Sequence, residues 1–377
     1  MHILMAAGVL RRREGGVAAV LHSYAEELEK LGHTVTCIFL EDLLPKTQRL
    51  GRFVDLRFAF RLARYIAARR DDFSVVNLHA PSGLVYGLRR KFLRAPGPPL
   101  VMTLHGLEER RVHAMKREAK KGRAWHFSFR NRLWHRVYHR PRFDWAIRTA
   151  DVAHCFSRDV WTLLQLKYDL DPDRVAYIPN GVASRFFLQR DYHPARPLRL
   201  LYAGTWLDQR GIFYLREALP RIFNERPNLR MTFAGPCVPA SEIRSFFGEA
   251  CAARLDILET IPWENMPQLY ADHDVFVFPS LMEGLPSVVL EAMAGGMPVI
   301  TAETCGMVDV IEDERDGLLV PPADSAALEQ AILRLVDSGD LRERLGRAAQ
   351  ERMRTHTWEH SAHRLERLFL DTIRENQ

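Results

Sequence analysis

The stretch that most constrains the fold of this chain is FVFPSLMEGLPSVVLEAMAGGMP, residues 276–298. The apolar run 275–278 ends at Pro279, and apolar residues at helical spacing begin at Pro286. This pattern predicts a buried strand, a short loop and a helix. Because Gly284 permits close backbone approach and Pro286 favours a first helical turn, the loop and the helix start form a candidate seat for an anion such as a diphosphate.

Two acidic side chains belong to this loop and helix. Glu283 lies in the predicted loop, and Glu291 follows it by eight positions, about two helical turns later. Both carboxylates can therefore face one pocket.

The same order of strand, loop and helix opens each half of the chain. Residues 2–7 predict a strand followed by a glycine-rich loop, and residues 200–203 predict a strand followed by the loop 204–211. A length of 377 residues suits two domains, and the polar, proline-bearing span 191–197 is typical of a linker. We predict the α/β class with strand-helix repeats in both domains.

The pattern around the two acids resembles a known signature. Glu283 and Glu291 enclose seven residues, Gly-Leu-Pro-Ser follows the first, and Glu-Ala-Met-Ala-Gly-Gly-Met-Pro-Val-Ile begins at the second. This arrangement is similar to the donor site of retaining nucleotide-sugar glycosyltransferases of family 4. The resemblance covers essentially the whole chain, most specifically residues 198–322.

The resemblance implies the GT-B fold, in which two Rossmann-like domains with parallel sheets face a central cleft. The implied acceptor-side domain is 1–190, and the implied donor-binding domain is 191–357. A last helix, about 358–377, is expected to pack back on the first domain.

The resemblance also assigns roles to individual residues. Glu291 is expected to accept hydrogen bonds from two ribose hydroxyls, and Glu283 to bind hydroxyls of the transferred sugar. His105 is expected at the donor sugar, and Arg210 at the departing diphosphate. The further donor-binding candidates are Gly15, Gly16, Gly204, Thr205, Gly235, Ile261, Gly284, Leu285, Pro286 and Ser287; those on the acceptor side are His79 and Asn180.

Position 205 departs from the resembled pattern. The family usually has an arginine after the first glycine of the 204–211 loop, and Thr205 stands there instead. A hydroxyl donates one hydrogen bond but lacks the charge and the bidentate geometry of a guanidinium. One of the three arginines 11–13 could compensate.

The two halves of the chain differ in charge. Residues 1–190 carry 34 basic and 18 acidic side chains, whereas the remainder carries 19 and 29. Residues 110–142 hold twelve basic side chains against one acid, Glu118, interleaved with aromatic residues. This composition favours an anionic membrane surface or a lipid-linked acceptor over a plain solvated helix pair. Because nothing here resembles a nucleic-acid motif, nucleic acid is not an expected partner.

The implied reaction is transfer of a hexose-type sugar from a nucleotide diphosphate sugar to a glycan or lipid-linked acceptor, in bacterial polysaccharide or glycolipid synthesis. Other possibilities on the same fold are a sugar-nucleotide epimerase and a non-catalytic nucleotide-sugar binding protein. A phosphorylase needs a pyridoxal-phosphate lysine in the second domain, and Lys167 is the last lysine of the chain. No cofactor is expected.

The remaining motifs point to no metal and to a cytoplasmic setting. Asp272-His273-Asp274 imitates an Asp-x-Asp metal motif, but it falls where the family has a helix end and a strand entry. The five cysteines are scattered without a Cys-x-x-Cys pair, which favours a reduced compartment. No run of eighteen apolar residues is present, so we expect contact only with the inner face of the plasma membrane.

Overall fold

The computed structural model describes residues 1–12, 16–49, 51, 53–106, 108–123 and 128–377. Strands and helices alternate along most of the chain. In the first half they are β1 (His2–Ala6), α1 (Gly16–Lys30), β2 (Thr34–Ile38), α2 (Leu40–Leu43), α3 (Val54–Ala68), β3 (Val75–His79), α4 (Leu84–Leu93), β4 (Leu100–Leu104), α5 (Glu108–Lys120), α6 (Phe129–Trp134), α7 (Arg140–Thr149), β5 (Val152–Cys155), α8 (Arg158–Tyr168) and β6 (Val175–Tyr177). A π-helical turn, His135–His139, joins α6 to α7.

The second half repeats this alternation. Its elements are β7 (Arg199–Ala203), α9 (Ile212–Glu225), β8 (Arg230–Ala234), α10 (Ala240–Phe247), α11 (Glu249–Ala252), β9 (Leu255–Leu258), α12 (Met266–Ala271), β10 (Val275–Phe278), α13 (Ser287–Ala294), β11 (Val299–Ala302), α14 (Met307–Val310), β12 (Leu318–Val320), α15 (Ser325–Asp337), α16 (Gly339–Met353) and α17 (Trp358–Glu375).

The strands form two parallel sheets, which confirms the predicted α/β class. The first has the order β2-β1-β3-β4-β5-β6, and the second has the order β12-β11-β10-β7-β8-β9. The strands β3, β4 and β10 are buried at every position. This burial explains their continuous apolar runs, since helices cover both faces of a parallel sheet.

The chain divides into two compact units. Unit 1 comprises Met1–Glu109, His126–Asn180 and Trp358–Gln377, and unit 2 comprises Arg110–Trp125 and Gly181–Thr357. Most of α5 thus belongs to unit 2, although the chain segments before and after Arg110–Trp125 belong to unit 1. The buried Glu118 of α5 accepts a hydrogen bond of 2.6 Å from the hydroxyl of Tyr214 on α9.

The last helix, α17, packs within unit 1. The ring of Trp358 meets that of Tyr24 on α1 edge-on, with 5.1 Å between ring centroids. His33 and Glu366 approach to 2.7 Å, and Ser361 donates to the carbonyl of Pro179 at 2.9 Å. This helix is amphipathic: its apolar face packs against unit 1, including α1, and its polar face lies in solvent.

One predicted strand has the wrong bounds. The sequence predicts a strand at 257–261, whereas β9 is Leu255–Leu258. Leu255 pairs with Met231 of β8, and this register starts the strand two residues earlier. Ile261 consequently lies in the loop after the strand.

The loops after β7 and β10 lie in close contact because of one glycine. Gly211 has φ +76°, and a Cβ there would collide with the carbonyl oxygen of Pro279. The amide of Leu281 also donates to the carbonyl of Gln209 at 2.8 Å. Only a residue without a side chain allows this approach.

We expect Gly211→Ala to lower the free energy of unfolding by about 2 kcal/mol or more, since it adds a backbone collision to an unfavourable φ. Gly235→Ala is the matched control, because Gly235 has φ +66° but no atom within 4 Å of the position that a Cβ would take. Thermal and denaturant unfolding of both variants measures the difference. Equal destabilisation of the two would contradict the close-approach argument.

Candidate functional site

The candidate site of unit 2 lies where the strand order of its sheet reverses. From β7 the chain proceeds outward through β8 and β9 on one side, and through β10, β11 and β12 on the other. Loops that follow strands on the two sides of such a point diverge and leave a crevice at the carboxyl edge of the sheet. Here those loops are 204–211 and 279–286.

Glu283 lies in the loop after β10, beside Arg210 of the loop after β7. Its Oε1 atom is 3.4 Å from Nε of Arg210 and accepts a hydrogen bond of 3.1 Å from the Ser280 hydroxyl. Burial raises the pKa of Glu283, while the Arg210 guanidinium and the Ser280 hydroxyl oppose the rise. Of the three residues expected at the transferred sugar and the departing diphosphate, Glu283 and Arg210 therefore lie together within unit 2.

Arg210 is held by its surroundings and still has hydrogen-bonding capacity. A Cβ at Gly204 would collide with its guanidinium, and its Cζ atom lies 5.4 Å from the centre of the Phe278 ring. Within the described residues, its buried Nε makes no hydrogen bond. That Nε faces Oε1 of Glu283 as an ion pair at 3.4 Å, whereas the other N–H groups of the guanidinium are of the kind that binds phosphate. Thr205, the position that departs from the family pattern, is exposed in the same loop.

Glu291 lies on α13, the helix that begins one residue after Pro286. Its Oε2 atom accepts a hydrogen bond of 2.8 Å from the hydroxyl of Tyr270. Burial raises the pKa of Glu291 to about 7, opposed by the Tyr270 hydrogen bond and by the charge of Arg185. This carboxyl group therefore titrates close to neutrality.

Other predicted donor-site residues of unit 2 lie in adjoining loops. Gly284 and Leu285 contact the turn after β11, because a Cβ at Gly306 would collide with the Gly284 carbonyl. Gly235 follows β8 and donates to the carbonyl of Leu258 at 2.8 Å. Ser287 is the first residue of α13.

The loop after β9 carries an aromatic platform close to Ile261. The Cζ atom of Arg185 stands 2.9 Å from the centre of the Trp263 ring, and its Nη2 atom donates to the Trp263 carbonyl at 3.3 Å. Arg185 also affects the pKa of Glu291, so this platform and the carboxyl group of Glu291 belong to one neighbourhood.

In unit 1, the two predicted histidines lie at the ends of neighbouring strands and contact each other. Nε2 of His105 and Nδ1 of His79 are 2.8 Å apart. The fully buried His154, on β5, lies in the same cluster, and burial lowers the pKa of His105 to about 3 and that of His154 to about 4. Burial also lowers the pKa of His79 well below its ordinary value, so all three imidazoles are neutral at physiological pH.

The other predicted residues of unit 1 are not part of this histidine cluster. Gly16 begins α1, and Gly15 lies outside the described residues. Asn180 is buried just beyond β6. Arg11 is bound to Asp42 at 2.8 Å, so its guanidinium is already engaged within unit 1.

The Asp272-His273-Asp274 motif is used for packing at the start of β10. Asp274 is buried and pairs with Arg196 at 2.8 Å, and His273 hydrogen-bonds the hydroxyl of Thr232 at 2.7 Å. Asp272 accepts a hydrogen bond from Gln268. Within the described ranges, no group of three or more His, Cys, Asp and Glu side chains is arranged to hold a metal ion.

Sequence reasoning missed the side chains that support the two acids. Ser280 and Tyr270 each donate to one carboxylate, and Arg185 supplies positive charge. Ser280 lies in the loop 279–286 itself, three positions before Glu283, and this closeness in sequence could have identified it. Tyr270 and Arg185 lie 21 and 106 positions before Glu291, and no local pattern connects them to it.

Two family models match the chain in succession. Residues 14–185 match the model described as Glycosyltransferase Family 4, and residues 197–338 match Glycosyl transferases group 1. Together they span most of both halves and include every loop described above from 204 to 306.

Individual proteins agree with these matches. A D-inositol 3-phosphate glycosyltransferase of Streptomyces scabiei is 29% identical over 235 residues, 57% of this chain and 53% of that protein. The chain thus matches about half the length of this curated relative. Sucrose-phosphate synthase from Thermosynechococcus elongatus superimposes with a TM-score of 0.80 at 21% identity, covering 99% of each chain. Anabaena HepE in complex with UDP-glucose gives a TM-score of 0.71 at 17% identity, covering 98% of this chain and 100% of that one.

The raised pKa of Glu291 predicts a pH-dependent stability difference. Its folded pKa of about 7 exceeds the ordinary value of 4.5, so the native state is progressively destabilised as pH rises between these values, with no further loss above about 7. We expect Glu291→Gln to raise the thermal midpoint relative to the wild type, with a gain that grows from pH 5 to pH 7.5. Glu242→Gln, at an exposed position on α10, is the control. An increase in the thermal midpoint that does not depend on pH would contradict the raised pKa of Glu291.

Proposed function

Because this chain belongs to the glycosyltransferases of family 4 and has the GT-B fold, we propose that it moves a hexose-type sugar from a nucleotide diphosphate sugar to a glycan or lipid-linked acceptor. We propose further that transfer retains the anomeric configuration and needs no metal ion. The observation that carries this proposal is the meeting of Glu283, Arg210 and the start of α13 at the point where the strand order reverses.

The proposed chemistry is electrostatic stabilisation of the leaving group. As the bond from the sugar to the diphosphate breaks, negative charge grows on the departing phosphate oxygens. Arg210 supplies a guanidinium at the carboxyl edge of the sheet, and α13 begins at the same edge, where its first backbone amides lack helical acceptors. These groups are fixed before the reaction, so little reorganisation is needed when the charge appears.

Glu283 is proposed to hold the transferred sugar. Its carboxylate is oriented by Ser280 and balanced by Arg210, and it accepts hydrogen bonds from sugar hydroxyls. The acceptor hydroxyl attacks from the face that the diphosphate leaves, and its proton passes to the departing phosphate oxygen as the bond from the sugar to that oxygen breaks. No protein nucleophile is therefore assigned. Within unit 1, the neutral imidazoles of His79 and His105 are proposed to hydrogen-bond substrate hydroxyls.

Glu291 is proposed to hold the ribose of the donor. A single carboxylate can accept from two adjacent hydroxyls, and Tyr270 fixes its orientation. The complex of HepE with UDP-glucose supports a nucleotide sugar as the donor. The aromatic platform of Trp263 and Arg185 is a suitable surface for the nucleobase.

We expect Glu283→Ala and Glu291→Ala each to abolish sugar transfer while leaving the fold intact, because each removes the proposed acceptor for substrate hydroxyls. Release of nucleoside diphosphate from candidate donors, with and without acceptor, measures turnover. Glu264→Ala is the control, because it removes an exposed glutamate that has no assigned role in the site. Wild-type turnover in either of the first two variants would overturn the site assignment.

Calorimetric titration with UDP, GDP and ADP separates donor binding from catalysis. We expect one nucleotide to bind the wild type, Glu291→Ala to weaken that binding by about tenfold or more, and Glu283→Ala to leave it nearly unchanged. The affinity should rise as pH increases through about 7, since the ionised carboxylate of Glu291 is the better acceptor. Conversion of a nucleotide sugar without acceptor would indicate an epimerase instead.

We also propose that unit 1 associates peripherally with an anionic membrane. Phe129, Leu133 and Val137 recur every fourth residue along α6 and the π-helical turn, and all are exposed, by 73%, 53% and 67%. Arg132 and Arg136 lie between them in sequence and are exposed as well. This apolar stripe beside basic residues fits the interface of an anionic bilayer. None of the helices in the described segments is long and apolar enough to cross a membrane.

We expect the protein to bind vesicles that contain phosphatidylglycerol, less strongly at high salt, and Phe129→Ser/Val137→Ser to reduce that binding at least fivefold. Flotation with phosphatidylcholine vesicles, with and without phosphatidylglycerol, measures it. Val308→Ser/Leu370→Ser removes two exposed apolar side chains elsewhere and serves as the control. Equal binding to neutral and anionic vesicles would remove the basis for the proposal.

A further inference from the structure

A basic groove lies at the amino edge of the sheet of unit 1. Its volume is about 720 Å³, and the residues that line it include Arg174, immediately before β6, and the carboxyl-terminal parts of α7 and α8. A second depression of about 410 Å³ shares Lys91, Arg148 and Arg174 with it. His79 and His105 end their strands at the opposite, carboxyl edge. The groove is therefore distinct from the candidate transfer site.

The charge of the groove is strongly positive. Its basic lining residues are Lys91, Arg136, Arg140, Arg148 and Arg174, and its acidic ones are Asp144 and Asp169. Asp144 already accepts from Tyr168 at 2.5 Å and pairs with Lys167 at 3.4 Å. Uncompensated positive charge thus remains inside the groove.

Part of this charge has a structural explanation. Lys91 donates to the carbonyl of Arg148 at 2.7 Å, and Arg174 donates to the carbonyl of Ala150 at 2.7 Å. Such cations stabilise helix carboxyl termini, where unsatisfied carbonyl groups carry partial negative charge. Arg140 is paired with Glu109.

Arg136 and Arg148 have no such explanation. Both are exposed, and within the described residues neither guanidinium pairs with a carboxylate or donates to a carbonyl; Arg148 only lies 5.4 Å from the centre of the Tyr168 ring. Like charges that face a common groove repel one another, and a bound anion removes that cost. These two arginines therefore indicate a site for a phosphate-bearing group.

The rim of the groove indicates where that phosphate comes from. Phe92 and Leu93, at the end of α4, are exposed by 59% and 73%, and the ring of Phe92 packs edge-on against the half-exposed Trp145 with 5.8 Å between centroids. Arg136 is followed in sequence by Val137 of the apolar stripe. Apolar side chains on the rim suit acyl chains, whereas a soluble phosphate needs none.

We propose that this groove binds the phosphate headgroup of an anionic lipid, while Phe92, Leu93 and Trp145 contact its acyl region. The inference rests on the proposed membrane association of unit 1 and is independent of sugar transfer. It gives that association a defined headgroup site, with Arg136 and Arg148 as the principal ligands of the phosphate oxygens.

The test is vesicle flotation of the full chain with Arg136→Gln/Arg148→Gln. With phosphatidylglycerol vesicles at fixed salt, we expect the apparent affinity of this variant to fall about tenfold or more. Lys46→Gln/Arg367→Gln is the matched control, since it removes two exposed cations of unit 1 outside the groove. We expect less than a twofold change in that variant. An unchanged affinity in the groove variant, or an equal loss in both, overturns the proposal.

Two further measurements separate a lipid phosphate from a soluble anion, and lipid binding from the proposed sugar transfer. Calorimetric titration with inorganic pyrophosphate tests a soluble anion: loss of pyrophosphate binding in Arg136→Gln/Arg148→Gln with vesicle binding intact would overturn the lipid source. Nucleoside diphosphate binding by the same variant is expected to equal that of the wild type. Failure of sugar transfer in the wild type would leave the vesicle result unaffected, so the two proposals fail separately.

Discussion

The close contact between the loops after β7 and β10 is the constraint on which the candidate site depends. Gly211 lies against the carbonyl of Pro279, and the amide of Leu281 binds the carbonyl of Gln209. This contact places a guanidinium from one loop beside a carboxylate from the other, 3.4 Å apart. Neither loop alone contains the pair, so the chemistry follows from how two strands adjoin in a parallel sheet.

Both carboxyl groups of the candidate donor site are kept in an environment that opposes their charge. Burial raises the pKa of each, and each has one hydroxyl donor and one nearby arginine that partly offset the cost. The stability lost to these buried charges is consistent with a binding role.

The two units differ in the charged side chains that they concentrate. Unit 2 contains the paired acids and arginine of the donor site, whereas unit 1 concentrates basic side chains on α6, α7 and their neighbours. Cations that cap helix ends or pair with acids are explained by the fold itself. Arg136 and Arg148 remain, and the apolar stripe lies next to the first of them. Charge and exposed apolar surface together, rather than either alone, favour a lipid interface.

The sequence by itself determined the α/β class, the bounds of the strand Val275–Phe278, and the position of both acids on a strand-loop-helix unit. These depend on local periodicity and on glycine and proline, whose effects act within a few residues. Only the tertiary structure decided that Tyr270 donates to Glu291, that α5 packs on α9, and that β9 begins at Leu255. It also decided which arginines are already engaged. These contacts join residues distant in sequence, and their partners are selected by sheet register and packing, which no local pattern encodes.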